Sequence, residues 1–188
     1  MPRLLFISHP EVILDPDLPI TSWSLNATGY ARAQAFATSP EMQNVTRIAS
    51  SAENKALQTA RIFANRLGLS ATVDHRLGEN DRSATGYLPP EEFEAAACAF
   101  FANPDDSFRG WETAVAAQKR ITEAIVQLCG LHRQGDLAVV SHGAIGTLLY
   151  CALTQEPISR DFDQPGQGHY FAVNLPAFAV VHGWQSIA

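Results

Sequence analysis

The sequence predicts an α/β fold of three layers, with helices on both faces of a mainly parallel central sheet. Three observations predict it. Two short apolar runs, Leu4-Leu5-Phe6-Ile7 and Leu137-Ala138-Val139-Val140, are bounded by turn residues, as buried strands of such a sheet are. Strand and helix signals alternate along the chain. Both runs end in the same dipeptide, Ser8-His9 and Ser141-His142, and the carboxyl ends of such strands are where ligands bind in this architecture.

The elements follow in order. After the first strand a Pro/Asp-rich loop, Pro10 to Ser24, leads to a helix from Asn26 through about Ala37. Thr46 to Ser50 is the next strand, and Ser51 is placed to cap the helix after it by accepting a free amide hydrogen. That helix carries Ala56, Ala60, Phe63 and Leu67 at helical spacing, and Gly68 stops it. Ala71 to Asp74 is a weak strand. His75 to Pro90, with Gly78, Gly86, Pro89 and Pro90, is long for a plain connection, and loops of that length tend to be functional. Helices are expected over Glu91–Ala102 and Glu112–Leu131. The second has Ala114, Ala117, Ile121, Ala124, Ile125 and Leu128 on one face. Strand Leu137–Val140, helix Ala144–Leu153 and a hairpin-like pair, Tyr170–Asn174 and Phe178–Trp184, complete the chain. His169 is read as a structural turn residue, and His75, His132 and His182 receive no role.

Length and composition narrow the function. A chain of 188 residues reads as one domain, 1–188, that buries roughly 70% of its unfolded surface without staples. The 46% hydrophobic and 17% charged content is globular. The net charge of −6, with no basic run, argues against nucleic acid as partner. It also requires any phosphate site to be locally positive. Cys98, Cys129 and Cys151 show no metal-ligand spacing, and each is expected to be a small buried hydrophobe in a reducing compartment. The amino terminus enters a strand at once, and no apolar run of about 18 residues is present for a membrane span. A cytoplasmic protein with neither membrane nor nucleic-acid partner is expected.

Four blocks carry a more specific signal: Leu5-Phe6-Ile7-Ser8-His9-Pro10-Glu11; Leu25 to Ala35 with Gly29 and Gln34; Ser50-Ser51-Ala52-Glu53-Asn54-Lys55-Ala56-Leu57-Gln58-Thr59-Ala60; and Val139-Val140-Ser141-His142-Gly143. In order and spacing they resemble the histidine phosphatase superfamily, whose fold is phosphoglycerate mutase-like. The resemblance implies a metal-independent phosphomonoesterase that needs no cofactor and acts through phosphohistidine on a small phosphorylated molecule or a phosphoprotein. It implies that His9 is the nucleophile, which needs a neutral imidazole held in one tautomer. His142 would hydrogen-bond the transferring oxygens, Glu79 would be the general acid, and Lys55 and Gly143 would help to hold phosphate.

The chain also departs from that family's pattern. Ser8 stands where the arginine before the nucleophile is expected, Pro10 replaces a glycine, and Lys55 replaces an arginine. A guanidinium grips phosphate through two parallel hydrogen bonds, an ammonium is a point charge, and a serine is neutral. Arg3 lies at the wrong end of its strand to compensate, and Arg82, three positions after Glu79, is the better candidate. The phosphate-binding set expected is therefore Lys55, Ser8, Arg82 and Gly143. The alternative is a non-catalytic phospholigand-binding member of the fold. A magnesium-dependent phosphatase around Val12-Ile13-Leu14-Asp15-Pro16-Asp17 is disfavoured by Pro19 and the short apolar lead-in. A serine hydrolase is disfavoured because no glycine stands two before Ser141. A mutase is disfavoured for want of an obvious insertion. The sequence leaves the oligomeric state open.

Overall fold

The computed structural model describes residues 1–187. Among them run six strands, β1 Arg3–Ser8, β2 Val45–Ser50, β3 Ala71–Val73, β4 Asp136–Ser141, β5 His169–Asn174 and β6 Ala179–Ser186. Five α-helices alternate with them: α1 Ala27–Phe36, α2 Asn54–Leu67, α3 Pro90–Ala102, α4 Ala114–Gly130 and α5 Gly143–Thr154. The strand order is β3-β2-β4-β1-β5-β6. β3, β2, β4 and β1 are mutually parallel, while β5 and β6 form the antiparallel hairpin at one edge. This is the three-layer, mainly parallel sheet that the alternation of elements predicts.

Strand periodicity assigns the core. Successive side chains point to opposite faces, so Leu5, Ile7, Ile48, Ala138 and Val140 pack under α1 and α2 with Phe36 and Phe63. Leu4, Phe6, Leu137, Val139 and Phe171 pack under α3, α4 and α5 with Phe100, Ile121, Ile125 and Leu148. Each fully buried Leu, Ile or Phe contributes about 1.5–3 kcal/mol relative to exposure, and β1 and β4 are covered on both sides.

Local signals set some of the helix ends. The Asn26 side chain accepts from the Gly29 N–H and caps α1, and Gly68 ends α2 at φ 68°, a conformation that costs glycine nothing. Thr113 caps α4 through the Ala116 N–H, one residue inside the expected start at Glu112. Ser51 differs from expectation. The N-cap of α2 is Glu53, without a side-chain cap bond, and the Ser51 hydroxyl accepts the Glu53 N–H ahead of the helix. The cysteines also correct their expectation. Cys151 is buried, Cys129 half-buried and Cys98 exposed. Arg3 lies at the far end of β1, paired with Asp136 and Glu41. Among the described residues no helix is long and apolar enough to cross a membrane.

Candidate active site

The two Ser-His dipeptides meet because β1 and β4 are adjacent and parallel, with Ser8 opposite Ser141. His9 and His142 therefore leave neighbouring strands at the same level. The His9 N–H donates to the Ser141 carbonyl at 3.1 Å, and the ring centroids lie 5.3 Å apart with planes at 66°. His9 Nδ1 is 2.9 Å from the Pro10 carbonyl. A carbonyl only accepts, so Nδ1 carries the proton and Nε2 keeps its lone pair. Burial, then the neighbouring His142 and Lys55, push the His9 pKa well below 6.5, and the ring is neutral near pH 7.

His142 is fully buried. Its Nε2 is 2.8 Å from Ser51 Oγ and 3.3 Å from Glu53 Oε1, while Nδ1 has no partner. Burial, then Lys55, Arg82 and Arg120, keep this ring neutral as well.

Glu53, which the sequence reading did not single out, organises the floor of the site. It is buried, and its carboxylate takes the Lys55 ammonium at 2.5 Å and the Glu79 N–H at 2.8 Å while facing His142. Lys55 also donates to the Ile20 carbonyl. Residues 53–55 thus open α2 with a buried ion pair. The Glu79 side chain reaches the amino terminus of α5, accepting from Ile145 N–H at 3.1 Å and Ala144 N–H at 3.4 Å. Those amides and Arg82 favour the carboxylate, yet burial outweighs them and raises its pKa above the ordinary 4.5. Arg120 holds the preceding backbone through the Gly78 and Glu79 carbonyls and is itself paired with Glu112.

A cavity of about 490 Å³ opens above this floor. His9, Lys55, Glu79, Arg82 and Gly143 line it together with Gln164, so five of the seven expected site residues share one wall system. Apolar surface comes from Ile20, Trp23, Phe93 and Phe101. The Arg82 guanidinium lies over the Phe93 ring at 4.9 Å. Arg160 also lines the cavity and is held by Glu94 at 2.5 Å.

Ser8 is placed differently from expectation. It is fully buried, and its hydroxyl accepts from the His169 N–H and donates to Gln164 Oε1. A short side chain on a covered strand does not reach the cavity. Among the described residues no group of three or more His, Cys, Asp or Glu side chains is gathered to hold a metal ion.

Two motif residues prove structural. Gly29 lets α1 pack on the loop after β1, where a Cβ would lie 2.2 Å from the Glu11 carbonyl oxygen. Gln58 Oε1 accepts the Leu25 N–H. Both fix the loop that follows His9.

Residues 17–174 match the family described as the histidine phosphatase superfamily (branch 1). The chain belongs to the histidine phosphatase superfamily. A search of curated proteins gives no match. Among solved structures the chain is similar to a mycobacterial glucosyl-3-phosphoglycerate phosphatase in complex with inorganic phosphate, with TM-score 0.84 and 20% identity, covering 100% of this chain and 99% of that one. It is also similar to a phosphoserine phosphatase from Entamoeba histolytica in complex with 3-phosphoglyceric acid, with TM-score 0.80 and 20% identity over 99% and 98% of the two chains. A putative α-ribazole-5′-P phosphatase from Escherichia coli aligns with TM-score 0.79 and 21% identity over 100% and 98%. At these identities the superfamily fold is shared end to end.

Proposed function

We propose that this protein is a phosphomonoesterase that works through a phosphohistidine on His9. The observation that carries the reading is the His9 ring itself, neutral, with Nδ1 fixed on the Pro10 carbonyl and a second imidazole 5.3 Å away. Nε2 attacks phosphorus, the N–P bond forms, and the ester P–O bond breaks. The leaving oxygen takes the proton of Glu79, whose raised pKa suits a general acid. Water then attacks the phosphohistidine with Glu79 accepting its proton, the N–P bond breaks, and orthophosphate leaves. This reading assigns the transferring oxygens to the unpartnered Nδ1 of His142, which is buried behind the cavity wall with its Nε2 on Ser51, since fixed dipoles stabilise developing charge.

The cavity's mixture of Trp23, Phe93 and Phe101 with Lys55 and Arg82 suits a small phosphorylated molecule with a partly apolar body. Solved relatives named as phosphatases of small phosphorylated molecules support the same class. The second reading, a phospholigand-binding protein without turnover, is favoured by one observation: the Lys55 charge is already matched by Glu53, and Ser8 brings none.

Hydrolysis of an aryl phosphate, with and without EDTA, by wild type and His9→Ala separates the readings. The phosphatase reading expects EDTA-insensitive turnover that His9→Ala abolishes. Orthophosphate binding with no turnover by the wild type supports the second reading, and turnover that survives His9→Ala contradicts the first.

A further inference from the structure

The position before the nucleophile poses a specific problem in this chain. Ser8 offers neither the charge nor the reach of the arginine it replaces, and the other donors around the cavity are largely committed. Lys55 donates to Glu53 and to the Ile20 carbonyl. Arg160 is paired with Glu94. The Ala144 and Ile145 amides at the start of α5 hold Glu79.

What stands over Ser8 is Gln164. Its Oε1 lies 2.5 Å from Ser8 Oγ, a separation that fits O–H···O and is too short for N–H···O. Ser8 Oγ accepts the His169 N–H at 3.0 Å, and its own proton has two acceptors within reach, Gln164 Oε1 and, at 3.1 Å, the His169 carbonyl. The amide stands with its oxygen toward Ser8 and its NH₂ turned the other way. That NH₂ lies against the start of α5, where a Cβ on Gly143 would come within 2.3 Å of Nε2. Among the described residues nothing accepts from Nε2. The Gln164 N–H donates to Asp163 Oδ1 at 2.8 Å, and Thr147 Oγ1 donates to the same oxygen at 2.8 Å, so the backbone beneath the amide is tied to α5. Gln164 is half-buried and lines the same cavity as His9 and Gly143.

We propose that Gln164, oriented by Ser8, donates its Nε2–H to a phosphoryl oxygen in the place vacated by the arginine, making Ser8 a positioning residue and Gln164 a phosphate-binding one. The proposal rests on the phosphatase reading for the ligand's chemistry. It adds a neutral donor to the grip and explains why the absent arginine coincides with a serine: a small hydroxyl-bearing residue leaves room for the glutamine and orients it. A hydrogen bond to a charged group is worth about 1.5–3 kcal/mol, so its loss is expected to weaken phosphate binding by roughly 10- to 150-fold.

Orthophosphate binding by calorimetry and the KM and kcat for an aryl phosphate test this in wild type, Gln164→Ala, Gln164→Glu, Ser8→Ala and the Ser8→Ala/Gln164→Ala double variant. Gln164→Glu keeps size and the Ser8 bond while turning the donor into an acceptor. Thermal melting confirms that each variant folds. The proposal expects both Gln164 variants to lose phosphate affinity, with Gln164→Glu the more affected. Ser8→Ala loses less, and adding it to Gln164→Ala changes affinity no further, as expected for a residue that acts through its partner. Gln164 variants that bind orthophosphate as the wild type does overturn the proposal, as does an independent effect of Ser8→Ala in the double variant. Turnover that survives His9→Ala is a different failure: it removes the phosphohistidine reading, while the binding measurements still decide the role of Gln164.

Discussion

Lys55 and Glu53, two residues apart at the start of α2, form an ion pair at 2.5 Å with side chains only 4% and 11% exposed. Removing one partner of a buried pair leaves an uncompensated charge and costs about 3–5 kcal/mol. Lys55→Met is therefore expected to lower stability by that order in urea unfolding. Glu53→Gln added to it returns most of the stability, since the amide oxygen can still accept the Glu79 N–H, but it does not return orthophosphate affinity. Full recovery of both would make Lys55 purely structural.

The pH dependence of kcat/KM follows from opposite demands on two groups. His9 must be neutral to attack, and its lowered pKa puts the acid limb well below 6.5, with rate lost as pH falls through it. Glu79 must be protonated to give up its proton, and its raised pKa puts the alkaline limb above 4.5, with rate lost as pH rises through it. Glu79→Gln is expected to remove the alkaline limb and to lower kcat on an alkyl phosphate by about 10²–10⁴. The loss on a good aryl leaving group is smaller. An unaltered profile in Glu79→Gln assigns the proton to another group.

Stability should carry the signature of His142. Its pKa is lowered in the folded protein, so the unfolded chain binds more protons below 6.5. The stabilisation is complete above pH 6.5 and is lost as pH falls toward the folded-state pKa. Denaturation midpoints measured from pH 8 to pH 5 are expected to fall on the acid side, and His142→Asn flattens that fall. Equal slopes in both proteins would show that His142 is not held neutral.

Gly146 provides a control distant in effect from the chemistry. A Cβ there meets the Trp184 ring at 2.5 Å and Phe6 at 2.6 Å, deep in the core under α5. Gly146→Ala is expected to lower stability by about 1–3 kcal/mol through overpacking, read as a shifted denaturation midpoint. Gly143→Ala instead displaces the Gln164 amide and is expected to act chiefly on phosphate affinity.

What the sequence made legible was whatever a local pattern encodes. Apolar runs gave β1 and β4, and the repeated Ser-His placed His9 and His142 at their ends. The block around Lys55 and Gln58 marked the start of α2. The roles of Glu53 and Gln164 were not legible for a physical reason. The first acts through contacts with Glu79 and His142, and the second through a hydroxyl 156 positions away in the chain. No local period or motif reports such contacts. Ser8 was misplaced for the same reason, because burial by β5 and the loop before it depends on the edge hairpin docking. Cys98 was misplaced because α3 is apolar in composition yet turns that residue outward.

The most direct measurement is acid- and base-stability mapping of phosphoenzyme trapped by rapid quench with a labelled aryl phosphate, followed by peptide mass spectrometry. The account predicts an alkali-stable, acid-labile phosphoryl group on His9, absent from His9→Ala. A phosphoryl group on any other residue, or turnover with label never found on His9, would contradict it.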